Sequence, residues 1–180
     1  YRMLSFIVMT RTNTQSPLAL SMSKCWVTTG STNPEAVVNP LAAACTEWDY
    51  VPDEVYLLGN PGVADQIDRI TELTATIIDA YGREEPDIEV TSLASETDFE
   101  DVVAHFKTAI VDAQEDDGEV VVDVTPGRKF MSAIAFQSGI QFGADRVCYL
   151  HVHSGKLFGR VYADLPRSGT TLYDFTEVFS

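Results

Sequence analysis

The sequence predicts an α/β domain: a three-layer sandwich whose mainly parallel sheet ends in a C-terminal antiparallel hairpin. Three observations carry this. Four short apolar runs each precede a segment of helical periodicity, so strand and helix alternate four times. The fourth run, Glu119-Val120-Val121-Val122-Asp123-Val124, is apolar without alternation, as a strand covered on both faces requires. A fifth run and two shorter ones around Pro166-Arg167-Ser168-Gly169, a turn signal, close the chain. Repeated βαβ units joined by right-handed crossovers give a Rossmann-like arrangement.

Residues 1–24 differ from the rest. Residues 10–23 are rich in Ser and Thr, include Pro17 and hold no period. They read as a peripheral arm, either an extra strand over 4–10 plus a linker or an upstream extension. The domain proper is 25–180. Its first strand, 25–29, stops at Gly30-Ser31-Thr32-Asn33-Pro34. A helix over 34–47 follows, with Pro34 in its first turn, where a missing N–H costs little; Pro40 is expected to kink or interrupt it. Residues 54–58 are the second strand, followed by Gly59-Asn60-Pro61-Gly62. Over 63–81, Val63, Ile67, Ile70, Leu73, Ile77 and Ile78 recur at helical spacing, with acids on the other face.

The third strand is 88–93. Thr97-Asp98-Phe99-Glu100 reads as a capping box opening a helix whose Phe99, Val102, Val103, Phe106 and Ile110 share a face. After the strand at 119–124 comes a helix over 127–142, stopped by Gly143. The fifth strand is 146–152, and 157–162 pairs with 171–175 as the closing hairpin.

The chain carries 27 Asp and Glu against 12 Lys and Arg, a formal charge of −15. The carboxylates read as a solvated surface suited to a salt-rich cytoplasm, with repulsion of nucleic acid or recruitment of a basic partner as the alternative. At ~1 M salt the Debye length is ~3 Å, so an anionic ligand would feel only the groups touching it. Direct binding of duplex DNA is not expected. Cys25, Cys45 and Cys148 form no C-x-x-C pair and cannot all pair, which points to a reducing, cytoplasmic setting. No apolar run reaches ~18 residues, so no membrane span is expected. The glycine fingerprints of dinucleotide and P-loop sites are absent, and no cofactor is predicted. His151 and His153 share one face of a strand but lack further ligands nearby, so no metal is predicted either.

Two loops follow strand C-termini and so lie on one rim of the sheet, where ligands bind in such folds. Both open helices, whose free N–H groups and positive dipole ends favour anions. In the first, Thr29, Gly30, Ser31, Thr32 and Asn33 can cradle phosphates or ribose hydroxyls, although Ser, Thr and Asn are also ordinary caps. In the second, Asp123 can shape the turn and the Thr125 hydroxyl can cap the helix or touch a phosphate. Pro126 fixes the first helical dihedral, and Gly127 lets a ligand approach the backbone. Arg128 and Lys129 supply positive charge. Two adjacent cations at a helix start, in so acidic a chain, point to an anion rather than to a plain solvated turn.

The helices on these loops share an oddity: 36–46 and 130–144 contain no charged residue. A helix without a polar stripe is buried on more than one side, by a third layer or by a second copy. A homodimer packed partly through these helices is the expectation.

The run D-V-T-P-G-R-K-F-M-S, Asp123 to Ser132, is similar to the D-x-T-G-G-T-K-x-M-S signature of the CRISPR-associated Rossmann fold (CARF) family. The loop T-T-G-S-T-N-P-E-A-V-V-N-P-L resembles that family's first-strand G-T-S-P loop and helix. Together they cover about residues 25–175. The departures are Pro126 for the first glycine, Arg128 for threonine, and one extra residue in the first loop. The resemblance implies a homodimer that binds cyclic oligoadenylate, the second messenger of type III CRISPR systems, across its two-fold axis. By position, Lys129, Thr125 and Gly127 match the motif lysine, threonine and second glycine, and Gly30 and Ser31 match the first loop. Some members are metal-independent ring nucleases, cutting by attack of a ribose 2′-hydroxyl. Lys129 would then stabilise developing charge, and Ser31 or Thr32 would orient the hydroxyl. A sensor half of a CRISPR-linked transcription regulator is a further alternative.

Overall fold

A computed structural model describes residues 22–179. The arm expected over 1–24 therefore lies, save for its last three residues, outside the described residues. The first strand, β1 (Lys24–Thr29), begins at Lys24. It is followed by α1 (Pro34–Glu47), β2 (Glu54–Gly59), a 3-10 turn (Pro61–Val63) running into α2 (Ala64–Ala80), and β3 (Asp87–Ser92). Next come α3 (Phe99–Glu115), β4 (Glu119–Asp123), α4 (Lys129–Phe142) and β5 (Arg146–Val152). The chain ends in β6 (Thr170–Asp174) and a single helical turn, α5 (Phe175–Phe179).

The strands form one sheet in the order β3-β2-β1-β4-β5-β6. All neighbours are parallel except β5 and β6. From β1 the chain winds outward to β3, crosses back, and winds the other way through β4 and β5. The strand order therefore reverses between β1 and β4.

Alternation along the strands sets the layers. Cys25 and Val27 face one side, with Val120, Val122 and Val147, against Val102, Phe106, Ala109 and Ile110 of α3 and Met131 and Ala135 of α4. Trp26, Val55 and Val121 face the other, against Leu41, Ala43 and Ala44 of α1 and Ile78 of α2. Tyr50 locks the two central strands at their base: its hydroxyl lies 2.7 Å from the Cys25 carbonyl and 2.8 Å from that of Glu119. Gly139 lets α4 approach the sheet, since a Cβ there would lie 2.6 Å from Val147 Cγ2. Gly139→Val is expected to cost about 1–3 kcal/mol by overpacking, read as a lower urea midpoint at unchanged slope.

Four local expectations are corrected. Helix α1 runs through Pro40 unbroken, with residues 37–45 all buried. Packing on several sides holds it where the lost hydrogen bond would otherwise break it. The segment 157–162 is not a strand; it lies within a connection of 3-10 turns, and β6 pairs with β5 itself, Val152 opposite Thr170. That connection crosses α1. Asn39 Nδ2 donates to the Arg160 carbonyl at 2.8 Å, and its Oδ1 accepts from Tyr162 N–H at 2.8 Å. The charge-free sequence of α1 is thus covered by the chain's own C-terminal third.

The capping box does not form. Asp98 is the residue before α3, but its carboxylate accepts from Ser95 N–H at 3.0 Å and closes the preceding turn. Of the residues expected to share one face, Val102, Phe106 and Ile110 are buried, whereas Phe99 and Val103 reach solvent. Phe99 instead meets Phe130 of α4 edge-on, with ring centroids 5.3 Å apart. Finally, α4 opens at Lys129 rather than Gly127, which leaves 125–128 as loop.

Candidate functional site

The carboxyl ends of β1 and β4 lie side by side at the reversal, where both neighbouring crossovers leave the rim open. The first loop sits close against the sheet. Gly30 donates its N–H to the Leu58 carbonyl at 2.7 Å, and a Cβ there would press on Val63 and Ile67. Ser31 Oγ accepts from Asn33 N–H at 3.2 Å, turning the chain into α1. Thr32 is exposed. Asn33 precedes α1 without capping it through its side chain.

The second loop is built on Asp123, which is fully buried. Its Oδ1 accepts from Thr125 N–H at 2.9 Å and its Oδ2 from the Thr28 hydroxyl at 3.0 Å, so one carboxyl ties β1 to β4. Burial pushes its pKa up to about 7, although the hydrogen bonds from Thr125 and Thr28 pull it down. The Thr125 hydroxyl accepts from Leu150 N–H at 2.9 Å, which anchors the loop to β5 rather than capping α4. Pro126 is buried and lies before the helix, not in it. Gly127 has φ +92°, and a Cβ on it would lie 2.5 Å from Thr29 Oγ1. Glycine is thus required by backbone conformation and by contact between the two loops. Thr29 Oγ1 is buried with no hydrogen-bond partner among the described residues.

Gly30, Ser31, Thr32, Gly127 and Arg128 meet around one cleft of about 280 Å³. Asn60, Gly62, Val63 and Glu96 complete its wall. Loops from β1, β2, β3 and β4 therefore converge on it. Arg128 holds Glu96 with both arms, Nε to Oε2 at 2.7 Å and Nη2 to Oε1 at 3.0 Å. Lys129 opens instead onto a neighbouring hollow of about 420 Å³ with Ser132, Tyr149 and Phe175, and forms no ion pair among the described residues. Gly127 borders both. A third hollow, of about 320 Å³, lies where Asn33 and Thr125 approach Tyr149, His151, Phe158 and Arg160. The cation doublet is therefore split across the loop, and Ser31 and Lys129 line different hollows.

Sequence reasoning left out the β2 and β3 loops. Gly59-Asn60-Pro61-Gly62 follows a strand end of the same parallel sheet, so its place on this rim could have been inferred. Asn60 Oδ1 accepts from Gly62 N–H at 2.9 Å and shapes that turn. Glu96 carried no signal, lying in a polar stretch 32 residues from its partner.

Among the described residues no group of three or more His, Cys, Asp or Glu is placed to hold a metal, and no helix is long and apolar enough to cross a membrane. His151 and His153 lie with ring centroids 5.3 Å apart, and His153 is engaged by Ser168 and Thr171.

Known structures share this fold. Csm6 of Enterococcus italicus, solved bound to cyclic hexa-2′-fluoro-hexa-dAMP, superposes with a TM-score of 0.60 at 16% identity, over 88% of this chain and 43% of that one. A type III CRISPR defence DNA nuclease activated by cyclic oligoadenylate gives 0.53 at 17% identity, over 73% of this chain and 19% of that one. Protein VC1899 from Vibrio cholerae gives 0.55 at 10% identity, over 73% and 31%. The chain thus spans less than half the length of each. No curated protein matches its sequence. The profile of one protein family does match it, over residues 69–167, more than half of its length. On that match the chain belongs to the family described as CRISPR-associated protein NE0113.

Proposed function

We propose that this is a CARF-like sensor domain that binds a cyclic oligoadenylate as a homodimer in the cytoplasm. The observation that carries the reading is the convergence of both motif loops on one cleft at the β1–β4 reversal, with a guanidinium inside it and an exposed ammonium beside it. Backbone N–H groups and a few cations are what a cyclic polyphosphate needs. A symmetric ring also needs a symmetric host. The exposed strip of α4, Ala133, Gln137, Ile140 and Gln141, is uncharged and suits packing against a second copy. Calorimetry with cyclic tetra- and hexa-adenylate in high salt tests the binding; no heat with either ring ends the reading. Light scattering tests the dimer, which a monomeric mass removes. Lys129→Ala is expected to weaken ring binding about tenfold or more, the range of a charge-assisted hydrogen bond.

Metal-independent ring cleavage is a second reading, favoured by the ammonium of Lys129, which forms no ion pair among the described residues. Because Ser31 lines a different hollow, one protomer would bring both to a single phosphate only if the ring bridged the Gly127 ridge. Linear products after incubation with chelator would support cleavage, and an intact ring leaves binding alone.

A further inference from the structure

Glu96 and Arg128 are the charged residues lining the switch-point cleft, and they neutralise each other. Among the described residues the cleft is thereby left without net charge, its guanidinium already engaged. We infer that Glu96 is a latch on the proposed ring site: its carboxylate occupies the guanidinium fork that a phosphate would take, and the ligand binds by displacing it. The inference rests on the ring-binding reading above.

The geometry is that of a stand-in. A carboxylate held by Nε and Nη2 presents its two oxygens to a guanidinium much as two phosphate oxygens would. The opposite wall is shaped to admit it. A Cβ on Gly62 would collide with Glu96 Oε1, and Asn60 fixes that turn through its bond to Gly62 N–H. The pair is not sealed: the side chain of Glu96 is 27% exposed and that of Arg128 62% exposed. Exchange of partners in water is therefore inexpensive. Glu96 sits in the loop between β3 and α3, so rotation of its own side chain can vacate the fork without moving an element. If it stayed, it would stand against the incoming phosphate at close range, a repulsive arrangement. Apparent affinity is then the intrinsic affinity reduced by the fraction of time the latch is closed.

The test is Glu96→Gln, which keeps the shape and removes the charge, titrated with cyclic tetra- and hexa-adenylate and, separately, with inorganic pyrophosphate. Glu96→Gln is expected to bind the ring about three- to tenfold more tightly than the parent at ~0.15 M salt, with a smaller gain at ~1 M. On an Arg128→Gln background, where only the direct repulsion is relieved, the same change should bring a clearly smaller gain. Equal or weaker ring binding by Glu96→Gln, or a gain just as large without Arg128, overturns the latch and leaves the ring reading intact. If no variant binds either ring but Glu96→Gln takes pyrophosphate more tightly than the parent, the latch stands and the ring reading falls. If neither probe separates the variants, the latch falls as well. Circular dichroism of each variant confirms that the comparison is between folded proteins.

Discussion

Gly127→Val is expected to lower the unfolding free energy by about 2–6 kcal/mol and to abolish the proposed ring binding in whatever fraction still folds. Two causes add. The backbone at Gly127 has φ +92°, where a β-branched residue is strained by about 1–3 kcal/mol. The new Cβ would also lie 2.5 Å from Thr29 Oγ1, with Thr29 Cβ and Met131 Cβ each at 3.5 Å, so the two loops must part. Overpacking of that kind costs about 1–3 kcal/mol more. Gly82 supplies the control: its φ is +93°, yet nothing lies within 4 Å of a Cβ built on it. Gly82→Val should show the backbone part alone and leave the proposed ring binding unchanged. Denaturant unfolding of both variants, with calorimetry, reads the difference. Equal losses for the two would mean that the strand-end loops do not touch as described.

The second large effect is on pH dependence. Burial raises the Asp123 pKa from 3.8 to about 7, so the folded protein holds that proton far more tightly than the unfolded chain does. The associated stability is fully present below the unfolded value and is lost as pH rises through about 7. Between pH ~4 and ~7 this one group should cost up to about 1.4 kcal/mol per pH unit, a few kcal/mol in all. His105 works oppositely: desolvation lowers its pKa from 6.5 to about 4, so its stability is present above 6.5 and lost as pH falls through about 4. The two slopes overlap in one window and partly cancel in the parent protein. Asp123→Asn separates them. Its stability minus that of the parent should climb between pH 4 and 7 and then level off. A difference that stays flat across the window would show that the carboxyl ionises freely and is not the buried tie between Thr28 and Thr125.

The helices α2 and α3 were legible because burial of one helix face imposes a period, and the central strands because cover on both faces leaves a short, unbroken apolar run. The rim was legible for the same reason, since parallel strands put successive loops on one side. The connection between β5 and β6 was not. Its residues have no period, and its path is set by Asn39 receiving the backbone of Arg160 and Tyr162 from more than 120 residues away. The cation doublet was legible as charge but not as direction. Arg128 is extended, with ψ 155°, and Lys129 is helical, so adjacent side chains diverge into separate hollows.

From composition and spacing alone came the α/β sandwich, its alternation of strand and helix and the two loops that open uncharged helices, because each depends on neighbours a few residues apart. Which charges meet was decided only by the folded chain. The bond between Glu96 and Arg128, the carboxyl of Asp123 between two strands, and the crossing over α1 all join residues distant in sequence. Such pairings follow from strand order and from the closing of loops in space, which no local period records.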